Sequence, residues 1–143
     1  MRGYSITLPR GEGAPAISFT DLKRRLLFCP LGDVMRISGF ADFTGFDHRR
    51  DAERVDLLHS LAKSLAPHVA DFAAADACPW AGSRPMTPDG RPLVGPTRMP
   101  GLFVNCGHGM LGWTLAAATA SELADALVPD GSRSTAAERQ VHA

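Results

Sequence analysis

Leu102-Phe103-Val104-Asn105-Cys106-Gly107-His108-Gly109-Met110-Leu111-Gly112-Trp113-Thr114 is the stretch that decides how the chain is read. Its first five residues make an apolar strand, and Gly107 to Gly112 has the spacing G-x-G-x-x-G. Leu111 to Leu127 then reads as an Ala- and Leu-rich helix, with Glu122 and Asp125 on its wet side and Pro129 near its end. A glycine-rich entry to a helix exposes backbone N–H groups and the positive end of the helix dipole, which suits a phosphate or another electron-rich group. A dinucleotide site of the ordinary kind also needs a second strand ending in a ribose-binding acid, and after this helix comes only a polar, aperiodic stretch. Either the amides face something other than a pyrophosphate, or the glycines only let strand and helix pack closely.

Working back from that stretch, residues 76–100 are too rich in Pro and Gly for a helix, and Arg91 to Val94 reads as a short strand after the Asp89-Gly90 reversal. Within it, Trp80-Ala81-Gly82-Ser83-Arg84-Pro85-Met86-Thr87-Pro88-Asp89-Gly90-Arg91-Pro92 surrounds Arg84 with turn chemistry that stiffens its backbone. A guanidinium held in this way can grip a carboxylate through two parallel charge-assisted bonds, a geometry lysine cannot reproduce. The plain alternative is a surface arginine in an ion pair. Asp51 to Ala66 carries Leu57, Leu58, Leu61 and Leu65 at helical spacing, with Asp47 as N-cap and Pro67 as stop. Residues 25–29 and 34–38 form an antiparallel hairpin through Pro30-Leu31-Gly32-Asp33, and Tyr4 to Pro9 alternates as a strand.

The 143 residues are one domain's worth, and 45% apolar with 21% charged residues is a globular composition. Fifteen basic and fifteen acidic side chains leave no net charge, so the basic footprint of a nucleic-acid binder is missing. Cys29, Cys78 and Cys106 lie far apart without a C-x-x-C pair, which points away from a disulfide framework or a zinc site and toward a reducing compartment. No apolar run approaches the roughly eighteen residues of a membrane span, and the first residues do not resemble a signal peptide.

From Pro79 to Leu123 the chain resembles the C-terminal part of the FAD-dependent D-amino-acid dehydrogenases, within the wider D-amino-acid oxidase and glycine oxidase superfamily. The strings that carry the resemblance are P-W-A-G-S-R-P-M-T-P-D-G-R-P-L-V-G-P and G-L-F-V-N-C-G-H-G-M-L-G-W-T. Arg2-Gly3-Tyr4-Ser5-Ile6-Thr7-Leu8-Pro9 and Leu31-Gly32-Asp33-Val34-Met35-Arg36-Ile37 look like substrate-domain strands of the same family. The fold implied is α+β: a partial D-amino-acid-oxidase-like fold with antiparallel substrate-domain strands plus the last strand and helix of the FAD domain. The family's N-terminal Rossmann unit falls outside this sequence, so the resemblance reads the chain as a C-terminal fragment that needs a separately encoded FAD-binding half.

The resemblance divides the chain into a partial substrate domain at 1–85, the C-terminal part of an FAD-binding domain at 86–128, and a disordered polar tail at 129–143. It implies hydride transfer from the α-carbon of a D-amino acid to FAD, giving a keto acid and ammonia, with a quinone or another acceptor taking the electrons. It gives the substrate carboxylate to Arg84, a pocket-lining role to Tyr4, and the flavin ring to His108, Gly109, Met110, Leu111, Gly112, Trp113 and Thr114. Glycine oxidases carry a second substrate arginine where Met110 stands, so no selectivity for glycine is implied. His108 is then a loop histidine bonded to backbone rather than a proton-transfer group, and no catalytic side chain or metal is implied. The family setting is cytoplasmic, with peripheral contact to the inner membrane. Two other classes stand beside this one: an inactive remnant or partner-binding module, and a small nucleotide-binding protein built on Gly107 to Gly112.

Overall fold

Alternation of apolar and polar residues builds most of the first half of the chain. Tyr4, Ile6 and Leu8 of β1 (Arg2–Pro9) point to one side of a sheet, as do Leu26 and Phe28 of β3 (Leu26–Leu31) and Met35 and Ile37 of β4 (Val34–Asp42). The computed structural model describes residues 1–45 and 51–128. Its residues fall into two compact units, Met1–Arg84 and the chain from Pro85 onward.

The first unit is a five-stranded antiparallel sheet in the order β2-β3-β4-β1-β5, with β2 at Phe19–Asp21 and β5 at Cys78–Ser83. Ile6 pairs with Ile37, which pairs with Phe28, so one cross-strand row runs through the centre of the core. The β3–β4 hairpin closes between Leu31 and Val34, where Gly32 takes the positive φ of 61° that the first central position of a II′ turn asks for. One face of this sheet is covered by α1 (Ala52–Leu65), whose Leu58 and Ala62 are fully buried, and by Val69, Ala70 and Phe72.

Three local expectations shift. The N-cap of α1 is Asp51, whose carboxylate accepts the amide of Arg54 at 3.3 Å, and Asp47 lies outside the described residues. The buried stripe of α1 centres on Leu58 and Ala62, leaving Leu57 exposed. β5 occupies a segment whose Pro79 argues against a strand. It is tolerated because β5 pairs only with β1 and stands at the edge of the sheet.

In the second unit, β6 (Leu93–Pro96) and β7 (Phe103–Cys106) pair antiparallel, and α2 (Gly112–Leu127) packs on both. β6 starts two residues later than Arg91 because the Arg91 amide donates to the Asp89 carboxylate at 3.1 Å and Pro92 has no N–H. β7 is half-buried at Phe103 and Val104 and exposed at Asn105 and Cys106, rather than buried throughout. A single 3₁₀ turn, Gly109–Leu111, precedes α2, so the α-helix proper begins at Gly112. Pro129 and the tail 129–143 lie outside the described residues.

Leu58 joins α1 to the sheet with no exposed surface. Leu58→Ala is expected to lower the unfolding free energy by about 2–5 kcal/mol in denaturant titration. A loss below about 1 kcal/mol would mean that α1 does not seal the core.

Candidate functional site

The strand period that buries Tyr4, Ile6 and Leu8 sends Gly3, Ser5 and Thr7 to the other face of the sheet. Their cross-strand partners on that face are Ser38 and Arg36 of β4, and Gly82, Trp80 and Cys78 of β5. Ser5, Thr7, Arg36, Ser38, Cys78 and Trp80 line a shallow groove of about 340 Å³ that Tyr4 and Arg84 also border. Among the described residues no carboxylate lines it. The Arg36 Nε–H donates to Thr7 Oγ1 at 3.2 Å, which sets that guanidinium over the β1 strand.

Arg84 leaves the end of β5 with its backbone N–H donating to the Met1 carbonyl at 2.7 Å. Its Nη1–H donates to the carbonyl of Phe40 at 3.2 Å. The acceptor is aimed by a β-bulge: between the pairs Arg2–Asp42 and Tyr4–Gly39, Gly3 alone faces Phe40 and Ala41. Phe40 takes φ 65°, a left-handed conformation that costs a side-chain-bearing residue about 1–2 kcal/mol. Among the described residues Arg84 makes no ion pair. The plain alternative of a surface ion pair is therefore not what these residues form, and the fork is half-buried beside an open groove.

Tyr4 borders the groove from beneath. Its ring lies in the core, edge-on to Phe40 with centroids 6.2 Å apart, and Arg54 lies over the other ring at 4.8 Å. Arg54 also forks onto Asp42, with Nε–Oδ2 at 2.7 Å and a second bond from Nη2 to Oδ1. Burial pushes the Tyr4 phenol above its usual value, and the nearby Asp42 carboxylate adds to the shift.

The second unit holds His108, Gly109, Met110, Leu111, Gly112, Trp113 and Thr114. Gly107 and Gly109 have φ of 82° and 57°, and the Gly109 amide donates to the Pro85 carbonyl at 2.8 Å. A Cβ on Gly109 would sit 2.6 Å from Met86 Sδ. The His108 ring bonds a side chain rather than backbone. Its Nε2 lies 3.1 Å from Thr119 Oγ1, and that hydroxyl donates to the Leu115 carbonyl at 3.0 Å, so the imidazole supplies the proton between them. Neither the 3₁₀ turn nor α2 has a side-chain N-cap bond or an acid in its first turn, so no side chain neutralises the positive end of the helix dipole there, while the Leu111 amide donates to the His108 carbonyl at 3.0 Å. That fits the edge of a flavin ring. Met110, Leu111 and Trp113 are exposed, Trp113 at 96%.

Sequence reasoning quoted Trp80 without assigning it and passed over Ser5, Ser38 and Arg36. The signal available was the period of two on either side of Ile6 and Ile37, which places those residues on the uncovered face. Among the described residues no cluster of His, Cys, Asp or Glu could hold a metal ion, and no helix is long and apolar enough to cross a membrane.

Comparison with known proteins gives consistent results. The profile of the DAO family, FAD dependent oxidoreductase, matches residues 1–126. D-amino acid dehydrogenase 2 of Ralstonia nicotianae is 46% identical over 133 residues, a match covering 87% of this chain and 31% of that protein. An uncharacterized oxidoreductase of Halorhodospira halophila is 44% identical over 130 residues, covering 89% of this chain and 59% of that one. The crystal structure of glycine oxidase from Bacillus cereus superposes with a TM-score of 0.69 at 18% identity, over 88% of this chain and 35% of that one. The chain thus spans about a third of the dehydrogenase it matches, and the antiparallel α+β architecture is the one found in this fold.

Tyr4 is the chain's only tyrosine, so phenolate absorbance reports it alone. Its titration midpoint is expected above 10.0, the ordinary phenol value. Because the folded-state pKa is raised, the stability linked to this proton is fully present below pH 10 and is lost as pH rises through the folded value. Tyr4→Phe should flatten that loss in alkaline denaturation curves. A midpoint at or below 10 would place the phenol in water.

Proposed function

The chain belongs to the DAO family of FAD dependent oxidoreductases, and from that premise we propose that it supplies the substrate-gripping strands and the ring-facing helix mouth of an enzyme that oxidatively deaminates D-amino acids. The observation that carries the proposal is Arg84: a half-buried guanidinium fixed by a backbone carbonyl, with no ion pair among the described residues, bordering a groove without carboxylates. Such a fork accepts an α-carboxylate through two charge-assisted bonds and sets the orientation of the Cα–H bond. Residues 108–114 would hold the ring edge of FAD, which when bound would supply the acceptor for the hydride of the α-carbon. The imino acid left behind takes up water and releases a keto acid and ammonia.

The chain's own contribution is binding and orientation. Arg84 holds the carboxylate, Tyr4 supports the groove from below, and Met110 faces the substrate side of the ring. His108, Gly109, Met110, Leu111, Gly112, Trp113 and Thr114 line the ring edge, where the positive dipole end of α2, which no side chain caps, favours the negative charge that reduction brings. His108 is tied to Thr119, so its role is to hold the loop on the helix. In this reading unit 1 is substrate domain and unit 2 is the end of the FAD domain, completed by the family's nucleotide-holding half. The electrons pass on to a quinone or a similar acceptor, in the cytoplasm or at the inner face of a membrane.

A second reading, a partner-binding module without catalysis, draws on the exposed Met110, Leu111 and Trp113. Flavin absorbance separates the two. Chain co-purified with an FAD-binding half should be yellow and active, whereas a colourless complex would favour the module. In the active complex, Arg84→Lys is expected to raise KM about 10–100-fold with flavin retained, the loss of one charged fork. Unchanged KM would remove Arg84 from the site. Gly109→Val should lower flavin occupancy, because its side chain meets Met86 at a left-handed position. Full occupancy would count against the ring-edge role.

A further inference from the structure

Two glycines sit in strand interiors, and their backbone conformations do not explain them. Gly3 lies in β1 and Gly82 in β5, and they are direct cross-strand partners. Neither has a left-handed φ, so the conformational freedom of glycine is not being used, and each weakens its strand relative to alanine. What they share is the thing lying on them. A Cβ on Gly3 would fall within the Arg84 guanidinium, and a Cβ on Gly82 would fall within the Trp80 indole.

The pair therefore makes a floor without side chains on the open face of the sheet, and two planar groups rest on it. One is the carboxylate fork, tied to the Phe40 carbonyl across the bulge. The other is an indole that remains 60% exposed beside the same groove. Among the described residues the groove's charged side chains are Arg36 and Arg84, and no acid lines it to receive a cationic ligand side chain. Ser5, Ser38 and Thr7 offer hydroxyls on the sheet, while Trp80 offers a large, exposed apolar surface.

We propose that Gly3 and Gly82 are positioning residues of the substrate site, and that Trp80 selects amino acids with uncharged, apolar side chains. Gly3 sets the height at which Arg84 meets the carboxylate. Gly82 lays the indole flat, so that a substrate held by Arg84 packs its side chain against the ring. A lysine- or arginine-like side chain meets two guanidinia and is rejected. This inference rests on the reading that Arg84 holds the substrate carboxylate, and it adds the substrate class and the residues that shape the site.

Calorimetric titration of the chain joined to an FAD-binding half with D-leucine, D-alanine and D-lysine tests it. The wild type should bind D-leucine at least about tenfold more tightly than D-lysine, and more tightly than D-alanine. Trp80→Ala, a change at an exposed side chain that the fold can absorb, should abolish the preference for D-leucine over D-alanine, with the larger loss falling on D-leucine. Gly82→Ala should do the same by displacing the ring. Gly3→Ala, titrated at a temperature where circular dichroism shows it fully folded, should weaken all uncharged ligands about tenfold or more without changing their ratio, and full folding there separates the effect from general destabilisation. If D-lysine binds as tightly as D-leucine, or if Trp80→Ala keeps the preference, the assignment of Trp80 is wrong. If Gly3→Ala and Gly82→Ala bind like wild type while Arg84→Lys does not, the floor is refuted and the functional reading survives. If Arg84→Lys binds like wild type, or no amino acid binds at all, both fall together.

Discussion

An antiparallel sheet has two faces, and the described part of the first unit covers one of them. α1 and the segment Val69–Phe72 seal the side that carries Tyr4, Ile6, Leu8, Phe28, Met35 and Ile37. With a side-chain period of two, every residue between those positions is sent to the opposite side. That side carries Ser5, Thr7, Arg36, Ser38 and Trp80, residue types that tolerate water or await a ligand. A slip of one residue in β1 would turn Ser5 and Thr7 into the apolar core and Ile6 out of it, so the core that stabilises the fold is also what fixes the composition of the groove.

The same register has one deliberate fault. At the Arg2 end of β1 the bulge in β4 sets two residues against Gly3 and places Phe40 at a φ that disfavours it. What holds it there is on both sides of the ring: Tyr4 edge-on, Arg54 above it, and the Arg54–Asp42 fork joining α1 to β4. The product is a carbonyl turned toward the Arg84 guanidinium. Strain in one residue is thereby spent on aiming another, and the helix that seals the core also steadies the groove.

Much of this was legible in the sequence. The alternation around Ile6, the Gly32 turn and the leucine spacing of α1 are local signals, and each produced its element, with β4 running four residues beyond the expected 38 because its bulge continues the pairing with β1. Strand β5 was not legible, because Pro79 and the surrounding glycines read as a loop until β1 is known to offer an edge. Asp51 and Asp47 are equally good caps by composition, and only the chain path chooses between them. Arg84 stood out because turn chemistry surrounds it. Its cradle did not, since Gly3, Phe40 and Arg84 are brought together by pairings across three strands. Trp80 was hidden for the same reason: its position relative to Gly82 and Gly3 exists only once β5 is paired. The helix mouth at Gly107 to Gly112 was legible as an amide-rich site, whereas the His108–Thr119 bond depends on which face of α2 turns toward the loop.

The central claim is that the guanidinium of Arg84 is a carboxylate fork opening onto the uncovered face of the sheet. A crystal structure of the chain, joined to an FAD-binding half and soaked with a D-amino acid, addresses it directly. The account predicts both carboxylate oxygens within about 2.7–2.9 Å of Arg84 nitrogens, with the Phe40 carbonyl still accepting Nη1–H. A ligand carboxylate bound elsewhere, with Arg84 turned away from Gly3, would contradict it.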